Sequence, residues 1–196
     1  GHFMTRIRTL LPLVAILLAA SPAALAAAQH PLEPLSSQEI REAARISKNY
    51  FTAHPPLPTD RLLYPSIILQ EPAKAQVLAR LYGGGPMPTR MARVELMHYP
   101  TNRLWVVTVN LDAGMVVEPI ALQAAGTQAA VTASEFVNAD TVVHANAAWK
   151  SAVSARGLDP DFCYVDVWAP GDPPGEGALS NGTATRLLRC LTFYRG

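Results

Sequence analysis

Apolar and polar positions along this chain run through the same order twice, helical spacing first and strand-like alternation after. In the first pass Ile40, Ala43, Ala44, Ile46 and Ser47 fall near one face, and Arg41, Glu42, Arg45 and Lys48 lie elsewhere, which predicts an amphipathic helix over 34–51. His54-Pro55-Pro56-Leu57-Pro58 must end it, because proline has no N–H and disfavours helical geometry in the residue before it. Strand-like runs follow. Positions 62–70 are apolar and β-branched, and 75–81 alternates Val77, Ala79 and Leu81 against Gln76, Leu78 and Arg80, which reads as a strand. Gly83-Gly84-Gly85-Pro86 is a flexible break. Positions 92–99 and 104–111 flank Pro100-Thr101-Asn102-Arg103, a hairpin signal. Asp112-Ala113-Gly114 makes the next turn, and 115–122 the next strand.

Positions 124–130 are small or polar without periodicity and read as a linker. The second pass then begins. Phe136, Val137 and 139–143 predict a helix, 147–155 another turn or two with Gly157 as a C-cap candidate, and 162–168 a strand. A Pro/Gly-rich stretch over 170–181 reads as a mobile loop, and 185–194 as a closing strand that pairs with 162–168.

Both helices open on one signature: apolar, Ser or Thr, two open positions, Glu, apolar. It stands at Leu35-Ser36-Ser37-Gln38-Glu39-Ile40 and again at Val131-Thr132-Ala133-Ser134-Glu135-Phe136. Each is a capping box, in which the hydroxyl accepts from a first-turn N–H and the Glu reaches back to the cap's own N–H. The repetition predicts an α+β fold of two tandem modules, 29–122 and 130–196. In each, a helix packs on one face of an antiparallel sheet, leaving the other face to dock something.

The beginning of the chain changes the picture of where it works. Gly1-His2-Phe3 precede Met4, which is read as the natural start. Arg6 and Arg8, the apolar run 10–20 and Ala24-Leu25-Ala26 are the three parts of a secretory signal, so 4–28 is read as a signal peptide and the protein as periplasmic or secreted. The apolar run is short of the ~20 residues of a membrane-crossing helix, so no stable membrane span is expected in the mature form. An uncleaved anchor and a buried helix are the competing readings. A net charge of +1 without any basic run argues against nucleic acid as a partner. Export and an even cysteine count favour a disulfide between Cys163 and Cys190, closing a loop whose entropy would contribute about 3.5 kcal/mol; two free thiols are the alternative.

Candidate chemistry is sparse. His30, His54, His98 and His144 show no metal-ligand spacing, and no cysteine neighbours them. Ser36, Ser37 and Ser134 belong to helix starts, and no G-x-S-x-G exists. Gly83-Gly84-Gly85 lacks the Lys-Ser/Thr of a phosphate loop, and Asp159 and Asp161 flank Pro160 in a solvated turn. Asn181-Gly182-Thr183 is formally a glycosylation acceptor. No catalytic, cofactor-binding or metal-ligating residue is assigned. Trp149 is expected to fix the short helix to its sheet. Trp105 alternates with Val106 and Val107, so one of them faces outward from the hairpin, and Trp105 is the candidate partner contact, with core packing as the alternative.

Particular words along the chain resemble the copper amine oxidases, in the second and third N-terminal domains that precede their catalytic β-sandwich. They are His30-Pro31-Leu32-Glu33-Pro34-Leu35 with Glu39-Ile40; Ile68-Leu69-Gln70-Glu71-Pro72-Ala73-Lys74 with Val77-Leu78; Ala92-Arg93-Val94 and Thr101-Asn102-Arg103; Thr132 with Glu135-Phe136; Arg156-Gly157-Leu158; Asp159 and Val165-Asp166-Val167-Trp168; and Tyr194-Arg195. Where the family often has Asp-Pro-Trp, this chain has Asp166-Val167-Trp168. The resemblance implies small amine oxidase N-terminal, cystatin-like α+β domains and no chemistry of their own. The family's quinone precursor stands in Asn-Tyr-Asp/Glu-Tyr; Asn49-Tyr50-Phe51-Thr52 lacks the acidic residue and second tyrosine, so Tyr50 is read as a packing residue. Copper and topaquinone would belong to a partner, a copper amine oxidase catalytic chain for primary-amine oxidation. The chain is thus expected to be a non-catalytic exported accessory subunit, with a homodimer as a further expectation. The alternative is a free-standing periplasmic peptide- or ligand-binding module.

Overall fold

A computed structural model describes residues 30–171 and 186–196. The signal peptide read at 4–28, most of the Pro/Gly-rich stretch and Asn181 lie outside the described residues.

The chain enters through α1, Ser37–Ala53. Its capping box forms as read: Ser36 Oγ accepts from the Glu39 N–H at 3.2 Å, and Glu39 Oε2 accepts from the Ser36 N–H at 2.7 Å. Four antiparallel strands follow in the order β1-β2-β3-β4, with β1 Leu62–Leu69, β2 Met91–His98, β3 Arg103–Asn110 and β4 Met115–Leu122. Alternation places one face of every strand against α1. Ala92, Val94 and Leu96 of β2 pair with Val109, Val107 and Trp105 of β3, and this double row meets Ala43, Ile46 and Phe51 of the helix. The outer strands each contain a proline, Pro65 in β1 and Pro119 in β4, and the inner strands none. A missing N–H is tolerated at an edge and not between two partners.

The run 75–81 is not a strand. Lys74–Tyr82 forms a helix, α2. Short alternation does not decide between periods, and Lys, Ala, Gln, Leu and Arg all favour helix. Only Val77 is buried, and Leu78, Leu81 and Tyr82 face solvent. The Gln76 side chain accepts from the Ala73 N–H at the start, and the Gly83 and Gly85 N–H groups both return to the Ala79 carbonyl at the end.

The stretch 124–130 packs in part on the first sheet. Ala129 is buried with Met97 and Leu104 on the sheet face opposite α1, so this segment covers part of that face. Beyond it come α3, Ala133–Ala145, capped by Thr132, and α4, Ala147–Ser154, whose cap Asn146 accepts from the Trp149 N–H at 2.9 Å. Gly157, at φ +74°, lies two residues past the cap position Ala155. β5, Cys163–Trp168, and β6, Arg189–Tyr194, form an antiparallel two-stranded sheet. The α+β class holds throughout.

Candidate docking surface

Two buried ion pairs organise the starts of α1 and α3. Arg90 Nε donates to Glu39 Oε1 at 2.7 Å, and its other nitrogens donate to the Glu33 and Pro34 carbonyls at 2.7 and 2.9 Å. Arg186 Nε donates to Glu135 Oε1 at 2.7 Å, and its other nitrogens donate to the Ala129 and Ala130 carbonyls at 2.7 and 3.0 Å. In both pairs Arg follows Glu by 51 residues. Burial alone would raise the Glu39 and Glu135 carboxyls; the Arg guanidiniums and the capping N–H groups outweigh it and hold both below the ordinary carboxylate range. One guanidinium thus fixes the helix start, the chain entering it and the approach to a strand.

The correspondence continues into the ladders. Ser36, Glu39 and Arg90 recur 96 positions later as Thr132, Glu135 and Arg186. At the same offset His98 of β2 becomes Tyr194 of β6, and the partners agree: His98 pairs with Leu62 of β1, and Tyr194 with Cys163 of β5. Further along, Val94 opposite Ile67 matches Cys190 opposite Val167. The bulge in β1 between Leu63 and Ser66 absorbs the one extra residue. β5 and β6 are therefore the counterparts of β1 and β2.

What differs is cover. Val94 and Leu96 are wholly buried, whereas β6 is exposed along most of its length and Tyr194 is 44% accessible. Beneath β6, Trp149, Val153, Leu158, Cys163, Thr192 and Tyr194 line a cleft of about 370 Å³. Trp149 Nε1 donates to Thr192 Oγ1 at 2.9 Å, which ties α4 to β6 as the sequence led us to expect. On the opposite face of the ribbon Tyr164 and Phe193 stack with ring centroids 5.3 Å apart, and Trp168 and Leu191 are exposed beside them. Trp168, Leu191 and Phe193 thus form an exposed apolar patch on one face of this short sheet.

Residues 30–116 match the family model described as copper amine oxidase, N2 domain. The chain carries a copper amine oxidase N2 domain. Histamine oxidase of Arthrobacter globiformis is 33% identical over 169 residues, 86% of this chain and 23% of that protein. N-methylputrescine oxidase 1 of Nicotiana tabacum is 26% identical over 199 residues, 83% of this chain and 24% of that one. Among solved structures, the copper-containing benzylamine oxidase of Hansenula polymorpha shares the fold, with a TM-score of 0.62 and 19% identity over 84% of this chain and 24% of its own. The chain spans about a quarter of the length of these relatives.

Within the N2 domain Trp105 is a core residue. It is 3% exposed, its ring meets Phe51 edge-on at 5.4 Å, and Arg103 lies over it. The partner-contact reading of Trp105 is therefore corrected. Of the three consecutive residues, Val106 is the one on the opposite face, because strand side chains alternate. The disulfide is corrected too: Cys163 and Cys190 are free thiols. Cys163 pairs with Tyr194 and Cys190 with Val167, so the ladder separates them by four rungs, roughly 13 Å, against the 4.4–6.8 Å that a disulfide spans.

Tyr50 lies on α1 and donates to Glu118 at 2.9 Å. Among the described residues no group of three His, Cys, Asp or Glu side chains is placed to hold a metal ion, and Tyr50 lacks the flanking residues of a quinone precursor. The described residues thus do not fit copper or topaquinone. Asp159 caps the 3-10 turn before β5 by accepting from the Asp161 N–H. His144 bonds the Cys163 carbonyl at 3.3 Å and packs on Trp149, a structural role.

Arg90 and Arg186 had no local signal in the sequence. Each meets its Glu across 51 residues, beyond any local periodicity; the shared spacing relative to the two capping boxes is the pattern that would have singled them out.

Proposed function

We propose that this chain is a non-catalytic accessory unit of primary-amine oxidation, docking on a separately encoded copper amine oxidase catalytic chain. The observation that carries the reading is the match of residues 30–116 to the copper amine oxidase N2 domain. The exposed β5–β6 sheet supports it as a surface in search of a partner. In this reading copper and topaquinone belong to the partner, and the complex works in the periplasm or outside the cell. Among the described residues no helix is long and apolar enough to cross a membrane.

The test is capture from the native periplasm with the 196-residue chain as bait, read by mass spectrometry. Recovery of a chain with Asn-Tyr-Asp/Glu-Tyr and His-x-His motifs supports the reading, and reconstituted amine oxidase activity in the captured complex would establish it. Recovery only of unrelated proteins, or of the bait paired with itself, overturns it in favour of a free-standing binding module or a homodimer.

A further inference from the structure

We infer that Asp140 and His144 form a proton-dependent latch, which closes α3 onto the outer edge of β5 when His144 is an imidazolium and loosens when it is neutral. The latch is independent of the accessory-subunit reading above.

β5 alternates its backbone groups between two sides. Even positions face β6, as the Phe162 carbonyl does in accepting from the Arg195 N–H, so the groups of Cys163 and Val165 point to the other side. On that side lies α3, and two of its side chains, one turn apart, take the place of a strand. Asp140 Oδ1 accepts from the Val165 N–H at 3.2 Å, and His144 Nε2 lies 3.3 Å from the Cys163 carbonyl oxygen. One donor and one acceptor of the edge are thus satisfied by side chains. The first module does without this device. Asp140 and His144 correspond, 96 positions back, to Ala44 and Lys48 of α1, and β1 instead contains Pro65, which has no N–H to satisfy.

The surroundings of the ring make the latch sensitive to protons. Nδ1 faces the Asp140 carbonyl oxygen at 2.9 Å and the carboxylate Oδ1 at 3.3 Å, and Nε2 faces the Cys163 carbonyl oxygen. All three atoms are acceptors. Both nitrogens must therefore carry hydrogen for both contacts to be bonds, and only the imidazolium has two N–H groups. A neutral ring turns a lone pair toward oxygen, and that contact opens. The same Asp140 Oδ1 accepts from Val165, so loss of the imidazole proton is felt at that amide. The Trp149 ring, its centroid 4.8 Å from that of the imidazole, holds the orientation. Asp140 is the charged group that meets His144, and the other titratable groups on the elements packed here are engaged elsewhere. Glu135 is held by Arg186, the Cys163 thiol turns to the Asp159 carbonyl, Tyr164 stacks on Phe193, and Asp166 accepts from Trp168 Nε1. Lys150 follows Trp149 by one position and so lies about 100° round α4 from it. The latch is complete in acid and is lost as pH rises through the titration of the imidazole, which for histidine falls between about pH 5 and about pH 8.

The experiment uses the 196-residue chain and NMR between about pH 5 and about pH 8. In acid both ring nitrogens of His144 should carry hydrogen, and the Val165 amide should exchange slowly. As the pH is raised, protection of Val165, corrected for the intrinsic rise of exchange with hydroxide, should fall about tenfold along the titration curve of His144, while the amides of β1–β4 keep theirs. His144→Gln is neutral throughout and should show no pH-dependent step at Val165. His98→Gln changes a histidine of the first module and should keep the parent's step. A single protonated ring nitrogen in acid, or Val165 protection that does not move with His144, overturns the latch, and both readings come from the parent chain, without any variant. A step retained in His144→Gln, or lost in His98→Gln, assigns the response to another group and overturns it equally.

Discussion

Arg186 meets Glu135 through the same atom pair, at the same 2.7 Å, as Arg90 meets Glu39. Both pairs are largely shielded, with side-chain accessibilities of 7%/7% and 11%/8%. Removing one member of such a pair strands a buried charge, which costs about 3–5 kcal/mol. Arg90→Ala and Arg186→Ala should each lose stability in that range in urea titrations. The double variant should lose close to the sum, because the pairs share no partner. A double variant no worse than either single one would show that the two clamps do not act separately.

The same pairs set the acid response. Folding holds both carboxyls below their ordinary value, so in acid the unfolded chain binds protons that the folded chain does not. Their contribution is therefore complete above the unfolded value, roughly 4.3, and is lost as pH falls through the lower folded values. Stability followed by urea from pH 6 to pH 2 should fall steeply below about pH 4.5, and the slope should flatten in the Glu39→Gln, Glu135→Gln double variant. An unchanged slope would place the acid sensitivity elsewhere.

The separation of Cys163 from Cys190 makes a plain prediction. Mass measurement should find both thiols reduced, and the thermal midpoint should be the same with and without a reductant. Thiol reagents should react slowly in the native state, because Cys163 is buried and burial pushes the Cys190 thiol up in pKa. A fall in midpoint on reduction would contradict the ladder register.

Trp105→Ala should cost about 3–5 kcal/mol, as removal of a buried indole does. If Trp105 were a contact residue, the variant would keep its stability and lose affinity. Chemical denaturation and capture from the native periplasm separate the two.

Much of this could be read along the chain, and the misses share a cause. The capping boxes and β4 were legible because each is decided within a few residues. Val77 belongs to a helix that its neighbours' short alternation disguised, and propensity over the wider run decided it. The facing of Trp105 was undetermined, because Trp105 and Val107 share a face with α1 and Val106 takes the other, and all three are apolar. The cysteines required a register, which depends on pairing across a long connection. The kinship of β5 and β6 with β1 and β2 was legible only as a comparison, since it rests on positions 96 apart and not on any local pattern.

The prolines of the first sheet have a consequence for the behaviour of the second. Pro65 and Pro119 withhold donors from the flanks of the first sheet, so passing polypeptides find a poor template there. β6 carries no proline, and Leu191, Phe193 and Tyr194 on it are exposed, the composition from which intermolecular cross-β growth begins. Prepared as these 196 residues alone, the protein should aggregate from this strand, and a charged residue in place of Leu191 should keep it in solution.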